Sequence, residues 1–229
     1  MKPILSFTNI SKCFLANVVL QRFETILYKG EVIAIVGPSG CGKTTLLNLA
    51  TKVVTPTTGS IENCATTTSY VFQEPRLLPW CTLWENVIFS INEKVDEERI
   101  LQLVRLVGLE EALHLYPRQL SGGMKQRVSI LRAFACNPEL ILMDEPFSAL
   151  DYSLKKQLMA ELITLIDSKG VSALYVTHDY TEAATLADKI IQFKDAGNGV
   201  YNTIKLDVPR SERDFNYIKT IEYQLLKET

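Results

Sequence analysis

Apolar and polar positions along the chain fall into blocks of two periods. Residues 4–10 alternate weakly, with Leu5 and Phe7 opposed to Ser6 and Thr8, which predicts an edge strand. Residues 17–28 read as a second strand, and Tyr28-Lys29-Gly30-Glu31 as the turn after it. The run Val32-Ile33-Ala34-Ile35-Val36 has no polar interruption, the pattern of a strand covered on both faces in a parallel sheet. Residues 46–54 predict a helix, stopped by Thr55-Pro56-Thr57-Thr58-Gly59. Two short strands follow, near 60–63 and 69–72, until Gln73-Glu74-Pro75 breaks the pattern.

From there to about residue 135 the period turns helical. Leu83, Val87 and Ile88 share one face, as do Ile100, Leu103, Val104 and Val107, and both stripes read as core. Asp96, Glu97 and Glu98 favour the start of the second of these helices. Ser121 is a good N-cap for a helix running to about Cys136. Strand signals then return at 139–145 and 171–177, around a helix at about 152–168. Asp179 and Glu182 have capping-box spacing for the next helix. Strands near 189–194 and 200–207 follow. A final helix at about 213–227 carries Phe215, Ile218, Ile221 and Leu225 on one face. The order predicts an α/β core with a helical lobe inserted at about 74–135. No repeat or low-complexity linker marks a second domain within residues 1–229.

Composition narrows the function classes. The 24 basic and 26 acidic residues give a net charge of −2, with no basic run, so no nucleic-acid partner is expected. Cys13, Cys41, Cys64, Cys81 and Cys136 form no C-x-x-C pair, and the chain has 2 histidines, a poor set for zinc. Scattered cysteines without a signal peptide point to free thiols in a reducing compartment. MKPILSFTNISK is too short and too polar for such a signal, and no long apolar stretch is expected to span a membrane.

The chemistry centres on Gly37-Pro38-Ser39-Gly40-Cys41-Gly42-Lys43-Thr44-Thr45, which matches G-x-x-x-x-G-K-[ST] between a strand and a helix. The glycines let backbone N–H groups approach a phosphate, and the helix N-terminus faces the anion. Lys43 can reach β- and γ-phosphates, and the Thr44 hydroxyl can bind Mg²⁺. The strand LILMDE delivers Asp144 and Glu145 as a metal-side carboxylate and a candidate general base. His178 sits at a strand end, where α/β sheets place ligands, whereas His114 reads as structural. Gly122 and Gly123 are costly at a helix start, and close approach to an anion would account for them.

This ordered set resembles the ATP-binding subunits of ABC (ATP-binding cassette) transporters, over essentially the whole chain. It comprises the P-loop, Gln73, LSGGMKQR at 120–127, LILMDEP at 140–146, SALD at 148–151 and His178. The resemblance implies a P-loop NTPase core with a mainly parallel sheet, a small antiparallel subdomain and an inserted helical subdomain. It implies ATP and Mg²⁺ as cofactors and hydrolysis of ATP to ADP and phosphate. Phe14 would stack on adenine, residues 37–45 hold the phosphates, and Thr44, Gln73 and Asp144 hold Mg²⁺. Glu145 would polarise water and His178 contact the γ-phosphate. Ser121, Gly122, Gly123 and Asp151 would act in trans, on ATP held by a second copy in a head-to-tail homodimer. Permease subunits at the cytoplasmic face of the membrane, and indirectly a substrate-binding protein, are the implied partners.

VFQEPRLLPWCTLWENV at 71–87, YPRQLSGGMKQRVSILRAF at 116–134 and VPRSERD at 208–214 are similar to the nitrate, sulfonate and taurine importers, a group that includes thiamine-precursor importers. An exporter subunit and a soluble ABC ATPase are the alternatives; the second usually carries paired cassettes or a long coiled coil. Filled positions at Glu145 and His178 disfavour a non-hydrolysing module. The short 59–70 region implies a reduced antiparallel subdomain. Cys41 has two readings, a reactive thiol beside a helix N-terminus or a small buried filler.

Overall fold

The structure, a computed structural model, describes residues 2–15, 17–91, 95–194 and 201–227. Its centre is strand β3 (Val32–Val36), all five residues of which are buried. To identify its neighbours, the remaining strands are β1 (Pro3–Phe14), β2 (Asn17–Tyr28), β4 (Thr58–Asn63), β5 (Thr68–Val71), β6 (Leu140–Asp144), β7 (Ser172–Thr177), β8 (Lys189–Phe193) and β9 (Tyr201–Lys205). Five of these and β3 form one six-stranded sheet in the order β5-β6-β7-β3-β8-β9. All its pairs are parallel except β8 with β9.

The sheet separates two cores, which explains the unbroken apolar run in β3. Ile33 and Ile35 join the core beneath β1, β2 and the first helix, α1 (Lys43–Ala50). Val32, Ala34 and Val36 join the opposite core, formed with α2 (Leu83–Ile88), α3 (Glu97–Leu106), α4 (Gly122–Ala135), α5 (Tyr152–Lys169), α6 (Tyr180–Leu186) and α7 (Phe215–Lys227). Alternate side chains point to opposite faces, and here both faces are dry. Burying each isoleucine is worth about 1.5–3 kcal/mol. The predicted α/β class with a mainly parallel sheet is thus observed.

Several boundaries and placements differ from the sequence reading. The strand expected at an edge, 4–10, extends over Pro3–Phe14 and is the middle strand of a separate antiparallel sheet, β2-β1-β4. Its alternation is weak because the pairing slips between Phe7 and Ile10 and again to Lys12, with Asn9 and Arg22 at positive φ. Such bulges reset which face a residue points to. The two short strands after α1 also divide, β4 joining the antiparallel sheet and β5 the parallel one. Helix α1 begins at Lys43 and ends at Ala50, short of the expected residue 54. Lys52 takes φ 60° and turns the chain out of the helix. In α7, Ile221 and Leu225 are buried but Phe215 is exposed. Residue 200 of the expected last strand lies outside the described residues; β9 starts at Tyr201.

Between β5 and β6 the chain forms α2, α3 and α4; α2 and α3 both pack on α4, which reaches back to β5. Thr82 and Glu85 close a reciprocal capping box at the start of α2, and Asp96 caps α3 by accepting from the Arg99 N–H. Among the described residues no helix is long and apolar enough to cross a membrane.

Candidate functional site

The glycine loop occupies the connection from β3 to α1, at the carboxyl end of the parallel strands. Gly42 caps α1 at φ 101°, a left-handed conformation that glycine adopts without strain. A Cβ at Gly42 would lie 2.9 Å from Val19 Cγ1 and 3.0 Å from the Val19 carbonyl oxygen. The loop is therefore seated directly on the β1–β2 hairpin. That hairpin carries Phe14 near its tip, 45% exposed, with Lys12 Nζ 4.7 Å from the ring centroid.

Lys43 is buried and turns back over the loop. Its ammonium donates to the carbonyls of Gly37 and Pro38, both at 2.8 Å, and its nearest third partner is the Cys41 sulfur at 4.0 Å. An ammonium has three donors, so one remains for a stronger acceptor than a thiol. Pro38, Ser39 and Gly40 are exposed at the rim, with Thr44 exposed and Thr45 half-buried behind them.

Strand β6 brings the acidic pair to the same place. The Thr44 hydroxyl donates to Asp144 at 3.2 Å. Burial pushes the Asp144 carboxyl up, opposed by that hydrogen bond and reinforced by the neighbouring Glu145. Glu145 leaves the strand at φ 45°, unusual for a residue with a side chain. Its carboxylate accepts from Gln73 Nε2 at 3.3 Å and lies 3.3 Å from His178 Nδ1. Gln73, Asp144, Glu145 and His178 therefore converge beside Lys43 and Thr44, although they come from three separate segments. A hydroxyl, a carboxylate and an amide oxygen form the hard oxygen set that suits Mg²⁺.

Ser121, Gly122, Gly123 and Asp151 form a second group. Ser121 caps α4 by accepting from the Met124 N–H at 3.2 Å. A Cβ at Gly122 would meet nothing within 4 Å, whereas one at Gly123 would lie 3.3 Å from Leu150. Asp151 caps α5 through the Leu154 N–H at 3.0 Å. No hydrogen bond among the described residues joins 121–123 to the glycine loop. Of the two glycines, Gly122 is exposed and leaves open space for a close backbone approach.

Two readings of the sequence are decided here. Cys41 is 2% exposed, and burial pushes its thiol up, outweighing the nearby Lys43 and two backbone hydrogen bonds. It is a filler beneath the loop rather than an activated thiol. Glu182 does not complete a capping box. Asp179 accepts from the Thr181 and Glu182 N–H groups, but the Glu182 carboxylate turns inward. There it accepts from the Thr177 hydroxyl at 2.6 Å and lies 2.7 Å from Lys155 Nζ. Lys155 gave no motif signal; only its spacing of four from Asp151 on a helix could have drawn attention to it.

Strand, glycine loop, helix and acidic strand end meeting at one lysine define a P-loop nucleotide-binding site. The sequence profile described as ABC transporter matches residues 20–148. An aliphatic sulfonates import ATP-binding protein, SsuB 1 of Pseudomonas savastanoi pv. phaseolicola, is 38% identical over 205 residues, covering 89% of this chain and 86% of that protein. The Fe(3+) ions import ATP-binding protein FbpC of Haemophilus influenzae is also 38% identical, over 91% of this chain but 64% of its own length. A dimeric post-hydrolysis structure of the ATP-binding cassette MJ0796, bound to ADP and Pi, superposes with a TM-score of 0.79 at 30% identity, covering 89% of this chain and 99% of that one. The chain belongs to the ABC transporter family and is one of its ATP-hydrolysing cassettes.

Proposed function

We propose that the chain is the ATPase subunit of an importer for a small anionic solute of the sulfonate or nitrate kind. It would act as one domain, with the helical segment at about 74–135 inserted in the α/β core. The sulfonate relative supports this solute class because the two chains cover each other almost fully. The iron relative extends well beyond the matched region.

The observation that carries the reading is Glu145, held between Gln73 and His178 beside the Thr44–Asp144 pair. Residues 37–45 would bind the phosphates, with Lys43 exchanging its weak sulfur contact for a phosphate oxygen and Phe14 stacking on the base. Thr44, Gln73 and, through water, Asp144 would hold Mg²⁺, whose charge neutralises the phosphates. Glu145 takes the proton of the attacking water, and His178 fixes the γ-phosphate side. A second copy would supply Ser121, Gly122, Gly123 and Asp151, a reading supported by the exposure of Ser121, Gly122 and Asp151. Two nucleotides then sit between two copies, which favours closure until hydrolysis. Permease subunits at the cytoplasmic face of the membrane would take up that motion, with a substrate-binding protein on the other side.

Glu145→Gln tests the reading. ATP binding should persist, hydrolysis should fall by about 10²–10⁴, the range for a lost general base, and an ATP-bound dimer should accumulate in size-exclusion chromatography. Unchanged turnover would reject Glu145 as the base.

A further inference from the structure

The two groups of site residues within one chain are joined by a half-buried ionic cluster. Gly123 lies against Leu150 and Leu154, whose Cδ2 atoms would be 3.3 and 3.6 Å from a Cβ there. Leu150 precedes Asp151, the cap of α5, and the Lys155 N–H bonds to the Asp151 carbonyl at 2.9 Å. From this first turn the Lys155 side chain crosses to α6. Its ammonium lies 3.0 Å from Asp179 and 2.7 Å from Glu182, whose side chain is only 4% exposed. Glu182 accepts from the Thr177 hydroxyl at 2.6 Å, and the Asp179 N–H donates to that same hydroxyl at 3.1 Å. His178 is the residue between Thr177 and Asp179, and it reaches Glu145.

Capping does not require this arrangement, because Asp179 alone satisfies the start of α6. A buried carboxylate facing an ammonium is also weak support for stability, since desolvation offsets much of the attraction. What the cluster does supply is geometry. It ties the 177–179 turn, from which the His178 ring reaches Glu145, to the first turn of α5.

Resting on the ATPase reading above, we propose that Lys155 is a positioning residue that couples the two half-sites of one subunit. Docking of a second copy on Ser121–Gly123 and Asp151 shifts the start of α5. Lys155 passes that shift through Asp179 and Glu182 to His178, which aligns on the γ-phosphate of its own subunit's ATP. Loss of Lys155 therefore acts on turnover and cooperativity rather than on nucleotide binding.

The test uses the full chain with Lys155→Met, Lys155→Arg and Glu182→Gln. For each, the melting temperature, the Kd for MgATP, kcat and the Hill coefficient of ATPase against ATP are measured. Lys155→Met is expected to keep Kd within twofold of the parent. Its kcat should fall at least tenfold and its Hill coefficient should approach 1, with Lys155→Arg restoring most of both. Glu182→Gln, which keeps the shape and the Thr177 contact, should show the same split to a smaller degree. It decides the question if Lys155→Met does not fold. Unchanged kcat and Hill coefficient in the folded variants would overturn the proposal, as would parallel losses of stability and affinity that arginine does not rescue. A parent chain that hydrolyses no ATP would refute the ATPase reading itself, a separate outcome from an active parent with indifferent variants.

Discussion

The contact between Gly42 and the β1–β2 hairpin allows a worked prediction for Gly42→Ala. Gly42 sits at φ 101°, where a residue with a Cβ loses roughly 1–2 kcal/mol. The new Cβ would also lie 2.9 Å from Val19 Cγ1 and 3.0 Å from the Val19 carbonyl oxygen. The side chain can rotate away, but the carbonyl belongs to β2 and moves only with its strand. Overpacking of this kind costs about 1–3 kcal/mol. Against this, alanine orders the unfolded chain less expensively than glycine, by about 0.4–1 kcal/mol. The net loss is about 1–5 kcal/mol, and at about 2–4 °C per kcal/mol for a chain of this size the melting point falls by about 2–18 °C. The hairpin bearing Phe14 is pushed off the loop by the same clash, so ATP binding weakens too. Scanning fluorimetry and nucleotide titration read both effects. Val19→Ala in the same background should recover only part of the loss, since φ and the carbonyl contact remain. A Gly42→Ala protein that melts within about 1 °C of the parent and binds ATP equally would refute the argument, because that is the range of a neutral surface change.

Other expectations come from burial and hydrogen bonding. Cys64 is exposed and Cys41 buried, so a maleimide should label Cys64 rapidly and Cys41 slowly with or without ATP. Equal rates at the two sites, read by mass spectrometry, would contradict the filler assignment. Glu139 accepts from the Thr66 backbone N–H and hydroxyl, which together hold its carboxyl below the ordinary value of 4.5. A depressed carboxyl contributes stability above pH 4.5 that is lost as the pH falls through its folded value. Glu139→Gln should therefore flatten the acid limb of the melting-point profile, and an unaltered limb would show the contact to be idle.

How much of the site the sequence disclosed depends on how local its chemistry is. Residues 37–45 were legible because strand, loop and helix are contiguous, and each glycine answers a local backbone demand. Asp144 and Glu145 were legible as the polar end of an apolar strand. The central position of β1 was not, because bulges at Asn9 and Arg22 shift the alternation by which a strand's faces are recognised. Glu182 was misread for a related reason. Its spacing from Asp179 fits a cap, but the Thr177 hydroxyl and the approach of Lys155 from α5 make an inward carboxylate tolerable.

The sequence by itself therefore determined the α/β class, the glycine loop and the polar residues that gather beside it, since periodicity and motif spacing are properties of neighbours along the chain. The tertiary structure alone decided which faces of β3 meet which core, that Cys41 is shielded, and that Lys155 links the start of α5 to the turn carrying His178. Those outcomes depend on which surfaces exclude water together and which charges meet inside, and separations of 24 to 100 residues, as between Lys155 and Asp179 or Thr44 and Asp144, leave no periodic trace.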